Sequence, residues 1–183
     1  MKIAKTQKYI RWLIYVLELL ILYALYQAPG FDFAFLQSRP LLLVPSFISI
    51  ALFEKEFASM AFGILTGFLL DMSLGNILGV QAILLCLLGY SLGIISNHYF
   101  KANFFAALIS SVVIIPLVIS GRFYFYYVFH GIELSAYAFV NYCIPGIILT
   151  FALMPLVFFF NRAVAYFLRG EEGGGKNKAG SFK

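Results

Sequence analysis

Residues 57–96 read FASMAFGILTGFLLDMSLGNILGVQAILLCLLGYSLGIIS. The run holds one charged side chain, Asp71, and no Lys or Arg. A helix needs about 20 apolar residues to cross about 30 Å of hydrocarbon at 1.5 Å per residue. Ser73, Gly75 and Asn76 are turn-forming types, and they divide the run into two apolar lengths, 57–74 and 78–96. Both are continuously apolar rather than alternating, which points to helices and not to the strands of a barrel.

The rest of the chain has the same character. Of 183 residues, 62% are hydrophobic, 11% charged and 19% aromatic, and the mean hydropathy is +0.92. Soluble domains run nearer ~45–50% apolar and ~25% charged. A folded domain of ~150 residues still exposes about a third of its unfolded surface. A soluble enzyme is therefore excluded, and disorder with it, because disorder needs low hydrophobicity. Further apolar runs at 12–28, 41–53, 104–120 and 137–160 complete an all-α integral membrane protein of six transmembrane helices. The run 41–53 is the weak one: it has 13 residues, with Pro40 before it and Pro45 one turn in. Its alternative is a re-entrant segment.

Charge placement decides between them, because short cytoplasmic loops collect Lys and Arg. With six spans and the N-terminus inside, eleven basic residues fall on one side and only Arg39 and Arg122 on the other. If 41–53 did not cross, the split would become five inside and eight outside. Both termini are thus expected in the cytoplasm. The external connections are 29–40 and 121–136, and the internal ones are 54–56 and 97–103. Residues 1–168 form the membrane domain, and 169–183 a flexible Gly/Lys-rich cytoplasmic tail. The basic N-terminus resembles that of a signal peptide. The first span is nevertheless expected to stay uncleaved, since Tyr26 interrupts any small-x-small site before Ala28.

Several residues stand out at membrane depth. Ser59, Gly63, Gly67 and Asp71 recur every four residues and so share a helix face. Small residues let backbones approach, which is how helices pack in lipid. This seam either packs within the protein or docks a partner helix. Gly89 with Gly93, and Ala24 with Ala28, are weaker versions. Asp71 reads first as a cap for the turn or for the next helix, with partner contact or ion binding as alternatives. Glu18 is the deepest clear charge. Arg11 shares its face but lies about 10 Å away by helix rise, so Glu18 needs a proton or a donor from another helix. An intramembrane carboxylate is by default a functional hypothesis, here interhelical bonding, partner contact or transport. Pro116, Pro145 and Pro155 are expected to kink or open the last two spans. The aromatic stretch FYFYYVF at 123–129 suits an interfacial belt or an external binding platform.

No complete catalytic, cofactor-binding or metal-ligating set is expected. Only Asp71 among the aspartates is near membrane depth, His98 and His130 lie at or beyond span ends, and there is no His-Glu-x-x-His run. Cys86 and Cys143 read as small packed residues. The basic N-terminus is explained by topology and anionic lipid, without nucleic acid.

The middle of the chain resembles MreD, the rod shape-determining membrane protein family of bacteria. The likeness rests on Arg39-Pro40 before an apolar run, on ALFEKE at 51–56, and on FGILTGFLLDMSLGNILGVQAILLCLLGYSLG at 62–93. Gly63, Gly67, Asp71, Gly79, Ala82, Tyr90 and Gly93 fall where that family's small, acidic and aromatic positions are expected. The resemblance implies a non-enzymatic scaffold of the cell-wall elongation complex in the bacterial cytoplasmic membrane. It also implies association with MreC and, through it, with MreB, the glycosyltransferase RodA and a transpeptidase. The family is similar in architecture to the substrate-binding subunits of energy-coupling-factor transporters, which leaves a vitamin-binding transporter subunit as the alternative function. Gly63, Gly67 and Asp71 are expected to hold the core. Glu18, Arg39, Gly79, Tyr90 and Gly93 are further structural or partner-contact candidates.

Overall fold

The computed structural model of the chain describes residues 2–28, 40–74, 79–98, 104–130, 139 and 143–169. Six helices account for nearly all of them: α1 Lys2–Gln27, α2 Leu43–Phe53, α3 Glu56–Leu74, α4 Val80–His98, α5 Phe104–His130 and α6 Ile144–Arg169. Four of these, α1, α3, α5 and α6, are long and apolar enough to cross a membrane by length and composition.

The short run at 41–53 forms the centre of the molecule. Every residue of α2 is buried, including Ser46 and Ser49, and the helix packs against each of the other five. Eleven residues span only about 17 Å, so α2 does not match the bilayer by itself. Its all-round apolarity is what a helix enclosed by protein requires. Two residues ahead of α2, the Leu41 N–H donates to Thr150 Oγ1 on α6 at 3.0 Å and ties the approach to α2 to that helix.

Side-chain contacts set the helix directions. Ser59 at the start of α3 donates to the carbonyl of Ala51 near the end of α2 (3.0 Å), and Gly63 a turn later faces Phe47 a turn earlier, so these two run antiparallel. Trp12 and Tyr15 of α1 both pack edge-on against Phe62, setting α1 beside α3. Phe104 at the start of α5 lies against Phe158 and Phe159 late in α6. At the other end Phe123 meets Phe139, ahead of α6. Large apolar side chains such as Leu13, Ile83, Val112 and Leu156 point outward. Buried polar groups point inward, which is the arrangement lipid demands.

The helices depart from the sequence reading in three places. The helix that begins at Phe104 does not stop at residue 120. It continues to His130, so the aromatic stretch 123–129 prolongs α5 and is no loop. The sequence puts a boundary at Gly121 and Arg122, but Arg122 reaches across to the Tyr26 hydroxyl of α1 (3.4 Å) and the helix carries on. Pro116 and Pro155 lie inside continuous helices. Near the first of them, Ser120 Oγ donates to the Pro116 carbonyl at 2.5 Å. Pro145 occupies the first turn of α6, where proline removes no needed donor. Finally, α6 runs from Ile144 to Arg169, several residues later than 137–160. The loop 29–39 with Arg39, and the tail 170–183, lie outside the described residues.

Candidate functional site

The face shared by Ser59, Gly63, Gly67 and Asp71 is the contact between α3 and α4. A β-carbon on Gly63 would strike the Leu85 carbonyl oxygen, and one on Gly67 would strike Cα of Ala82. On Gly89 it would lie 2.5 Å from the Ser59 carbonyl oxygen, and on Gly93 2.6 Å from Cα of Glu56. These are backbone atoms, which cannot turn aside as a side chain can. The two helices therefore touch main chain to main chain along four successive turns. The glycines also make a notch for α2, since β-carbons at Gly63 and Gly89 would sit 3.1 and 3.2 Å from the Phe47 ring. Phe47 is fully buried.

Asp71 closes the end of this seam at the C-terminus of α3. Its Oδ2 accepts the backbone N–H of Gly79 at 2.8 Å and of Ala82 at 3.4 Å. Its Oδ1 accepts the N–H of Gln81 at 3.3 Å. The first N–H groups of a helix have no partner within it, and its N-terminus carries partial positive charge. An acid at the end of α3 thus caps the start of α4. Gly79 has φ +110°, a backbone conformation that side chains disfavour and that lets its N–H face Asp71. Asp71 is 1% exposed, so losing it strands three donors. Asp71→Ala is expected to destabilise the protein by about 2 kcal/mol, read as a lower midpoint of thermal unfolding in detergent. An unchanged midpoint would show that the cap contributes nothing.

A second set of polar contacts fastens α1. Arg11 Nε–H donates to Glu54 Oε1 at 2.6 Å, and Trp12 Nε1–H donates to Glu54 Oε2 at 3.2 Å. The Lys8 ammonium lies 4.7 Å from the centroid of the Trp12 ring. Two turns further along α1, Glu18 Oε1 accepts Ser46 Oγ–H at 2.8 Å and Asn161 Nδ2–H at 2.9 Å, joining α1 to α2 and α6. The other Glu18 oxygen has no hydrogen-bond partner among the described residues. Two turns on again, Tyr26 meets Arg122 of α5. Residues 11, 18 and 26 share one face of α1, at nearly whole-turn spacing. Apolar surface gives helices no reason to associate in lipid, whereas hydrogen bonds and close packing do. These three rungs are therefore where α1 is held.

From sequence, Glu54 falls in a cytoplasmic loop and Arg11 is only a distant companion of Glu18. The structure instead buries Arg11 and Glu54 together, at 8% and 4% exposure. Asn161 was missed altogether. The available signal was a lone amide in the apolar segment FFFNRAVAYF at 158–167. Tyr90 points outward at 45% exposure and joins neither cluster, and Ala24 is likewise exposed. Cys86 and Cys143 are free thiols. Among the described residues there is no group of three metal-ligating side chains.

The glycine seam, the Asp71 cap and the α1 rungs use their polar groups to bind helix to helix. All lie within residues 6–164, the part of the chain that matches the family model for rod shape-determining protein MreD. This chain belongs to the MreD family. No curated protein and no solved structure matches it. Membership gives it a role in rod shape determination, as a membrane protein of a structural, shape-determining family. The matched region starts inside α1 and ends inside α6, so it takes in all six helices.

Proposed function

We propose that this MreD-family chain is a non-enzymatic scaffold of the bacterial cell-wall elongation complex. It crosses the cytoplasmic membrane six times, keeps both ends in the cytoplasm and binds MreC. Through that complex it organises peptidoglycan synthesis with MreB, RodA and a transpeptidase. The observation that carries this reading is the family match over the whole six-helix body. The eleven-to-two split of basic residues across the membrane supports the orientation. Burial of the polar groups supports the mechanism. With Ser59, Asp71, Glu54 and Asn161 turned inward, the outer faces meet partners sideways, helix against helix.

The test is purification of the tagged full chain from membranes in mild detergent, with identification of whatever accompanies it. MreC is expected in near-equal amount. A vitamin-sized molecule recovered without MreC would overturn the scaffold reading in favour of a transporter subunit.

A further inference from the structure

The hydrogens that Ser46 and Asn161 bring to the Glu18 rung are all committed. Ser46 Oγ–H and one Asn161 Nδ2–H go to Glu18 Oε1. The second Nδ2–H goes to the Val157 carbonyl within α6, at 3.2 Å. That bond also fixes the amide, since a flipped Asn161 would set oxygen against oxygen there. Two acceptors are left over, Glu18 Oε2 and Asn161 Oδ1. Neither has a hydrogen-bond partner, and neither has as much as 1 Å² of surface open to water. Asn161 is fully buried. Each of these oxygens lies two covalent bonds from the 2.9 Å contact that joins the side chains. Donors from two other helices thus reach Glu18, and the site still lacks a hydrogen.

We infer that Glu18 is a proton-binding site: Oε2 carries a proton and turns it toward Asn161 Oδ1, closing an acid–amide pair. A carboxylate has acceptors alone, whereas a carboxylic acid adds one donor. That one hydrogen serves both remaining oxygens, bonded to the first and hydrogen-bonded to the second. A water molecule needs room and several polar partners, and here both oxygens are closed off. A hard cation takes about six oxygen ligands, far more than this pair supplies. No cation stands by to balance an ionised Glu18. Arg11 is bound to Glu54, Arg162 of α6 is exposed, and α2 has no ionisable side chain. Tyr15, one turn before Glu18, turns its ring onto Phe62. The acids of α3, Glu56 and Asp71, stand near the two ends of that helix. Glu18 is therefore held as a neutral acid, which avoids the cost of a charge at membrane depth while fastening α1 to α2 and α6. This assignment does not rest on the scaffold reading.

The test is infrared spectroscopy of the purified full chain at neutral pH, with and without isotopic label in the glutamate carboxyl. The wild type is expected to show a protonated-carboxyl band that shifts with the label and is lost in Glu18→Gln. Glutamine offers an oxygen to Ser46 and Asn161 and an N–H to Asn161 Oδ1, so Glu18→Gln keeps the wild-type unfolding midpoint in detergent. Glu18→Leu offers neither and is expected to lower that midpoint by about 5 °C. Asn161→Leu is expected to move the band to higher frequency, because the carboxyl loses hydrogen bonds. A wild type without the band, a band that ignores the glutamate label, or one that persists in Glu18→Gln would overturn the bound proton. A band unmoved in Asn161→Leu, or a Glu18→Gln midpoint as low as that of Glu18→Leu, would overturn the pairing with Asn161.

Discussion

Gly67→Leu is expected to remove most of the protein from the membrane, with steady-state levels at least about fivefold below wild type. The reason is geometric. A β-carbon at this position already meets Cα of Ala82 and lies 2.5 Å from its backbone nitrogen. Overpacking against side chains costs ~1–3 kcal/mol because they can shift. Here the obstacle is main chain, and relief requires α3 and α4 to separate along their whole contact. Separation also pulls Asp71 from the N–H groups of α4 and opens the notch that holds Phe47. MreC co-purification is expected to fall at least in proportion. Tyr90→Leu, on the outward face of α4, serves as the control and keeps normal levels. Gly67→Leu protein at normal level and with a normal unfolding midpoint would show that the backbone contact between α3 and α4 does not hold the fold together.

Glu54→Ala is the second large effect. It leaves Arg11 in an enclosed site with no carboxylate, and it removes the acceptor of Trp12. Breaking a buried pair from one side costs about 3–5 kcal/mol, because the remaining charge is uncompensated. Replacing both partners by apolar residues of similar size is far cheaper. The single variant is therefore expected to lower the thermal midpoint in detergent sharply, and Arg11→Leu/Glu54→Leu together to recover most of it. A double variant as unstable as Glu54→Ala would show that the loss does not come from an uncompensated Arg11 charge. The rung at Glu18 adds to the same fastening, and Ser46 and Asn161 provide its donors from two different helices.

Much of this architecture could be read from single positions. The four-residue spacing of Ser59, Gly63, Gly67 and Asp71 identified a face where backbones meet. The turn after Asp71 suggested that its carboxylate caps a helix, and it caps α4. Other features could not be read in this way. Arg122 looked like the end of a span because a charge in an apolar run is costly. One of its nitrogens finds the Tyr26 hydroxyl, 96 residues earlier in the chain. Glu54 sat between two spans next to Lys55 and Glu56, a pattern that reads as a solvated corner. Burial and a cation from α1 make it part of the core instead. Asn161 is one amide among aromatic residues, and only its distance to Glu18 shows what it does.

Composition committed this chain to lipid, because no packing could hide so much apolar surface from water, and its unbroken apolar runs committed it to helices. Residue spacing alone placed Ser59, Gly63, Gly67 and Asp71 on one helix face and left open what that face meets. Only the tertiary structure decided that α2 is enclosed by the other five helices, and which polar groups fasten α1. In a bilayer every face of a helix is apolar whether it meets lipid or protein, so periodicity cannot tell the two apart. Hydrogen bonds between residues far apart in the chain can.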